Sequence, residues 1–138
     1  MTLSIKDRII RSIANRKGEV VLRTDFQQMG SASQISRALK EVVESGRLVR
    51  LGYGVYAKGK INTLTNKPTP REVLEVLAQE ALLRLKVNVS LGSAQRAYVD
   101  GKSTQIPMRA TFNTGRRRIS RKLTVGSREV SYENNYRA

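Results

Sequence analysis

The side chains in this sequence best suited to chemistry are basic and amide groups at helical spacing. Ser33, Gln34, Ser36, Arg37 and Lys40 fall within one short stretch, and steps of three and four residues bring such groups onto one side of a helix. Arginine can fork onto the O6 and N7 of guanine, and glutamine onto the N6 and N7 of adenine. Arg50, Tyr53 and Lys58 follow shortly after as further DNA-contact candidates, Tyr53 at a hairpin tip where it touches sugar or phosphate or is simply exposed. Further on, Arg116, Arg117, Arg118, Arg121 and Lys122 put five cations into seven residues. Arginine clusters beside a turn contact phosphates or lie solvated.

Covalent and acid–base chemistry has little to draw on. The chain has no histidine and no cysteine, which removes the commonest general base, the commonest nucleophile and most zinc sites. No pair of carboxylates has the D-x-D spacing that metal-dependent phosphoryl transfer uses. Asp100-Gly101-Lys102-Ser103 contains a G-K-S, but the upstream glycine of a phosphate-binding loop is missing and no strand feeds it. We therefore expect no catalytic residue, no metal and no cofactor.

The elements that must position the basic groups are legible around Ser31 to Ala57. Ala32, Ile35, Leu39, Val42 and Val43 repeat as one buried stripe of a helix, with Arg37 almost opposite, flanked by Ser33, Lys40, Glu41 and Glu44. Ser31 with Gln34 forms a capping-box pair, and Gly46 stands where a helix-ending glycine belongs. The period then changes to that of a strand. Arg47 to Leu51 and Gly54 to Ala57 are two short runs, with Gly52-Tyr53 expected as the turn of a hairpin. Upstream, Ser4 caps a helix carrying Ile5, Ile9, Ile10 and Ile13, and residues 19–23 form a short strand. Thr24 and Gln27 suggest a second short helix over Asp25 to Met29. The order helix, strand, short helix, turn, long helix, hairpin is that of a winged helix-turn-helix, whose long helix enters the major groove while the hairpin lies along the backbone. A plain surface helix and hairpin of a small α+β domain fits the same pattern.

Residues 61–69 show weak periodicity and are expected as a linker. Thr69-Pro70-Arg71-Glu72 then combines an N-cap threonine, a proline at N1 and a glutamate at N3, predicting a helix from Pro70 to about Lys86. That helix is apolar around more than half its circumference, so it is buried within its own unit or in a homodimer interface. A helical turn at Ser93 to Val99, a strand over Ile106 to Phe112, and a strand pair joined by Gly126-Ser127 complete the second half.

Charge supports a polyanionic partner. The chain carries 26 Lys and Arg against 11 Asp and Glu, a net charge of +15 with a pI of about 11.0. Residues 1–60 and 91–138 each carry a net +7, and residues 61–90 are nearly neutral. Such an excess favours nucleic acid over membrane, because no basic amphipathic anchor, lipidation signal or long apolar run accompanies it. Without a signal peptide pattern, the expected location is cytoplasmic.

Thr24 to Gly59 resembles the N-terminal winged helix of the AbiEi family of antitoxins from bacterial type IV toxin–antitoxin systems. Gly46-Arg47-Leu48-Val49-Arg50 followed by Gly54-Val55-Tyr56 is the most recognisable part. Thr69-Pro70, Ser103-Thr104-Gln105-Ile106-Pro107 and Thr114-Gly115-Arg116-Arg117 extend the likeness to small AbiEi-like proteins. The resemblance implies a transcriptional repressor that autoregulates a toxin–antitoxin operon, with a toxin encoded alongside and no direct contact between the two. Residues 70–138 are shorter than the C-terminal domain of that family.

The combined expectation is an α+β protein: a winged helix-turn-helix over 1–60, a linker over 61–69, and a basic helix-plus-antiparallel-sheet unit over 70–138. It binds double-stranded DNA. A structured-RNA binder and a protein-interaction module using the Val73–Leu85 helix are the other readings the same residues allow.

Overall fold

The computed structural model describes residues 3–87, 89–91, 101, 110–115 and 119–133. The chain is α+β and divides into two units, Met1–Val73 and Leu74–Ala138. In the first, helix α1 (Ile5–Asn15) leads through strand β1 (Val20–Leu22) and a 3-10 turn (Arg23–Phe26) to helix α2 (Ala32–Glu44). Strands β2 (Leu48–Gly52), β3 (Val55–Asn62) and β4 (Lys67–Pro70) follow. β3 pairs antiparallel with β1, β2 and β4.

Hydrophobic period decides which faces meet. Ile9 and Ile13 of α1 and Ile35, Ala38, Leu39 and Val42 of α2 close over Val21, Phe26 and Leu48 in one core, at the i, i+3, i+4 spacing of a buried stripe. Ala38 takes the place expected for Ala32, which is exposed at the first helical position, beyond the edge of the core. Ser4 caps α1 by accepting the Asp7 amide at 3.1 Å. The 3-10 turn starts earlier than the Thr24–Gln27 pairing predicted, because the Asp25 carboxylate accepts the Leu22 amide at 2.8 Å and Leu22 becomes the cap.

Residues 61–69 are not a linker. β3 runs on to Asn62 and pairs with β4, with Lys60 opposite Thr69 and Asn62 opposite Lys67. Asparagine chemistry makes the turn. Asn62 Oδ1 accepts the amides of Leu64 and Thr65 at 2.8 and 3.4 Å, and Asn66 adopts φ +58, a conformation asparagine tolerates better than most residues. Thr69-Pro70 consequently does not start a helix. Proline disfavours the helical region for the residue before it, and an edge strand tolerates prolines that lack an N–H.

The second unit begins with α3 (Leu74–Arg84) and continues through β5 (Ser90–Leu91), β6 (Ala110–Asn113), β7 (Thr124–Val125) and β8 (Arg128–Glu133). Its sheet runs β5-β6-β8-β7. β6 and β8 pair in parallel, Ala110 opposite Val130, so the sheet is mixed and not antiparallel throughout. The long connection between Asn113 and Arg128 permits this, since parallel neighbours need a crossover. Gly126, with φ +59, closes the β7–β8 hairpin as expected. Leu74, Leu77, Ala78, Ala81 and Leu82 are buried, as are Phe112, Leu123 and Val130 of the same unit. Glu75 and Arg128 pair at 2.7 Å. The expected turn at Ser93 to Val99 and the strand residues Ile106 to Arg109 lie outside the described residues. No helix among the described residues is long and apolar enough to cross a membrane.

Candidate nucleic-acid interface

α2 is held at both ends and along one side, which leaves the other side free to work. At its start Ser31 Oγ accepts the Gln34 amide at 3.3 Å, and Gln34 Oε1 accepts the Ser31 amide at 2.9 Å. This reciprocal pair satisfies two of the orphan donors of a helix N-terminus. At its end Gly46 takes φ +85 and donates to the Val43 carbonyl at 3.0 Å. With Ile35, Ala38, Leu39 and Val42 in the core, Ser33, Arg37, Lys40 and Glu44 form the exposed ridge. Arg37 and Lys40 make no hydrogen bond or ion pair among the described residues. Their donors are therefore available to an incoming acceptor.

Two depressions flank that ridge. On the α1 side, Arg37 lines a pocket with Lys6, Ser33, Gln34 and Glu41. On the hairpin side, Ser36, Lys40 and Glu44 face Arg50, Tyr53 and Tyr56 across a groove of about 660 Å³. The hairpin turns one residue later than the sequence suggested. Gly52 pairs with Val55, and Gly54 carries the left-handed φ of +68, so Tyr53-Gly54 forms the turn. Tyr53 at its tip is 82% exposed. Arg50 Nε donates to the Gly52 carbonyl at 3.2 Å, which steadies the hairpin beside the groove.

Arg23 joins helix to hairpin. Its amide donates to the Gly54 carbonyl at 2.9 Å, and its guanidinium donates to the Ala32 carbonyl at 2.8 Å. One residue thus ties the hairpin tip to the first residue of α2. Sequence reasoning passed over it, and its only signal was a cation between a strand and a turn.

The sequence-derived candidates fall into distinct groups. Ser33, Ser36, Arg37 and Lys40 share the outer face of α2, and Arg50 and Tyr53 stand on the neighbouring hairpin. Gln34 is exposed, but its amide oxygen is already engaged in the cap, so half of the adenine-type fork is spent. Lys58 stands apart from this face and does not line the groove between α2 and the hairpin. It is 8% exposed, and its ammonium donates to the Arg16 carbonyl at the end of α1. In the second unit Arg121 is half-buried and Lys122 exposed. Arg116, Arg117 and Arg118 lie outside the described residues.

A helix ridge bearing partner-free cations, next to a groove rimmed by arginine and tyrosine, can bind phosphate and present hydrogen-bond donors to base edges. A family model described as "Family of unknown function (DUF6088)" matches residues 5–136. No curated protein matches the chain.

Proposed function

The chain belongs to this DUF6088 family, and we propose that it is a sequence-specific regulator of transcription that binds double-stranded DNA through a winged helix-turn-helix. In this reading α1, the 3-10 turn and α2 form the helical part, and the β2–β3 hairpin is the wing. α2 lies in the major groove, Arg37 and Lys40 reach base edges or phosphates, and Arg50 and Tyr53 follow the backbone. The observation that carries the reading is the partner-free pair Arg37 and Lys40 on the one face of α2 that the core leaves open. The net charge of +15 supports it, since phosphate neutralisation supplies the sequence-independent part of the affinity. Repression of its own operon, with a toxin encoded alongside, is the biological setting that the AbiEi resemblance implies.

Selection of bound fragments from genomic DNA at about 150 mM salt tests the proposal, because lower salt inflates nonspecific binding. A shared motif enriched among the bound fragments is the expected result. Recovery of fragments in proportion to their input would refute sequence-specific recognition.

A further inference from the structure

The buried position of Lys58 leads away from DNA. Its ammonium has three N–H donors, of which one serves the Arg16 carbonyl, and the remaining two have no acceptor among the described residues. No carboxylate there lies within ion-pair distance of it. The nearby acids are engaged elsewhere: Glu19 with Arg71 at 3.3 Å, and Asp25 with Arg16 at 3.7 Å. A buried cation without a counter-charge is costly.

The space beside Lys58 is a cavity of about 330 Å³. Arg47 and Arg71 line it together with Lys58, and α1 contributes Ile10, Ile13 and Ala14 to the lining. Arg47 is exposed and has no ion pair among the described residues. The Glu19 contact occupies Nε of Arg71, which leaves the other guanidinium nitrogens to serve a second acceptor. Three cations together with three apolar residues of α1 match a molecule with an anionic head and a short apolar body. The volume lies at the lower end of the range for small-ligand pockets, about 300–1,000 Å³.

We propose that this cavity is a binding site for a small organic anion, a carboxylate or phosphate carried on a short apolar group. Arg47, Lys58 and Arg71 bind the head, and Ile10, Ile13 and Ala14 receive the body. None of these residues lines the groove between α2 and the hairpin. The site therefore stands independently of the DNA-binding reading.

The test uses the full chain without DNA, titrated with phenyl phosphate and separately with inorganic phosphate. Chloride holds the ionic strength constant, and NMR amide and methyl shifts report binding. Phenyl phosphate is expected to bind below about 1 mM, with the largest shifts at Ile10, Ile13, Arg47 and Lys58. Inorganic phosphate, lacking the apolar body, should perturb the same amides at least about tenfold more weakly. Arg47→Gln changes an exposed side chain and Lys58→Met keeps the buried stem; each should weaken phenyl phosphate binding by about tenfold or more. Circular dichroism identifies which variants are folded, and Arg47→Gln alone suffices if Lys58→Met is not. Unchanged affinity in folded Arg47→Gln, shifts spread evenly over the basic surface, or no binding at about 10 mM would each overturn the proposal. Displacement of phenyl phosphate by a short DNA duplex, with the duplex shifting the same cavity residues, would also overturn it by assigning the cations to a backbone phosphate.

Discussion

Replacing Gly59 with alanine should loosen the joint that fixes α2 against the hairpin. Gly59 does not use a left-handed φ, so its conformation suits alanine and the obstacle is space. A Cβ there would lie 2.6 Å from the Gly46 carbonyl oxygen and 3.2 Å from Cγ2 of Val49. The first neighbour is backbone, held by the turn that ends α2. β3 would have to retreat, straining the 2.9 Å bond from the Gly59 amide to the Arg47 carbonyl. Overpacking costs about 1–3 kcal/mol, and a weakened backbone hydrogen bond adds about 1 kcal/mol, for a total of about 3 kcal/mol. Gly54→Ala is the control. It keeps φ at +68, and its Cβ would meet nothing nearer than Cβ of Arg23 at 3.8 Å. Only the left-handed backbone is then penalised, by about 1–2 kcal/mol. In thermal unfolding followed by far-UV circular dichroism, a unit of this size shifts by about 4–8 °C per kcal/mol. Gly59→Ala should therefore lower the melting temperature by at least about 8 °C and clearly more than Gly54→Ala does. Equal shifts, or a cost below about 1 kcal/mol at Gly59, would refute the claim that backbone crowding fixes this joint.

Ser31→Ala removes the hydroxyl that caps α2 and should cost about 1 kcal/mol in urea unfolding, with Ser31→Asp restoring most of it. Affinity for duplex DNA, measured by fluorescence anisotropy, should fall by more than about 100-fold between about 50 and 200 mM salt, since several cations release counterions; a flat dependence would contradict the electrostatic account. Burial pushes the Tyr132 phenol above its ordinary 10.0, against the lowering effect of the Arg121 charge, and its hydroxyl donates to the Arg121 carbonyl at 2.6 Å. A folded-state value above the unfolded one gives stability that is complete below pH of about 10 and is lost as pH climbs through the folded value. Tyr132→Phe should thus be less stable than the parent near neutrality, and the difference should shrink in alkaline denaturation series.

The parts of the fold that could be read in advance were those in which local chemistry and burial agree. Ser31, Gln34 and Gly46 bound α2 from both ends, and its apolar period places Arg37 outside. Where a local signal competed with pairing, pairing decided. Thr69-Pro70 has the composition of a helix start, yet β3 offers it a strand partner, and Asn62 with Asn66 supplies a turn that low periodicity had concealed. Two glycines flank Tyr53, and only the register of β2 on β3 shows that Gly54 takes the positive φ. The burial of Lys58 had no sequence signal at all. A lysine among basic neighbours reads as surface, and only the fold brings the Arg16 carbonyl to its ammonium. Arg23 was equally hidden, because its partners Ala32 and Gly54 are distant in sequence.

The most direct measurement of the central claim is the base preference of Arg37→Ala at every position of the selected DNA site. Arg37 is exposed in the N-terminal half of α2 and has no partner to lose, so the variant should fold and melt as the parent does. A bidentate contact to guanine discriminates by about 1–3 kcal/mol. The variant should therefore lose affinity by about that amount and relax its preference at one position. Glu44→Ala, further along the same ridge, should leave the preference profile unchanged. Full retention of preference at every position by a folded Arg37→Ala protein would show that α2 does not read the sequence through this residue.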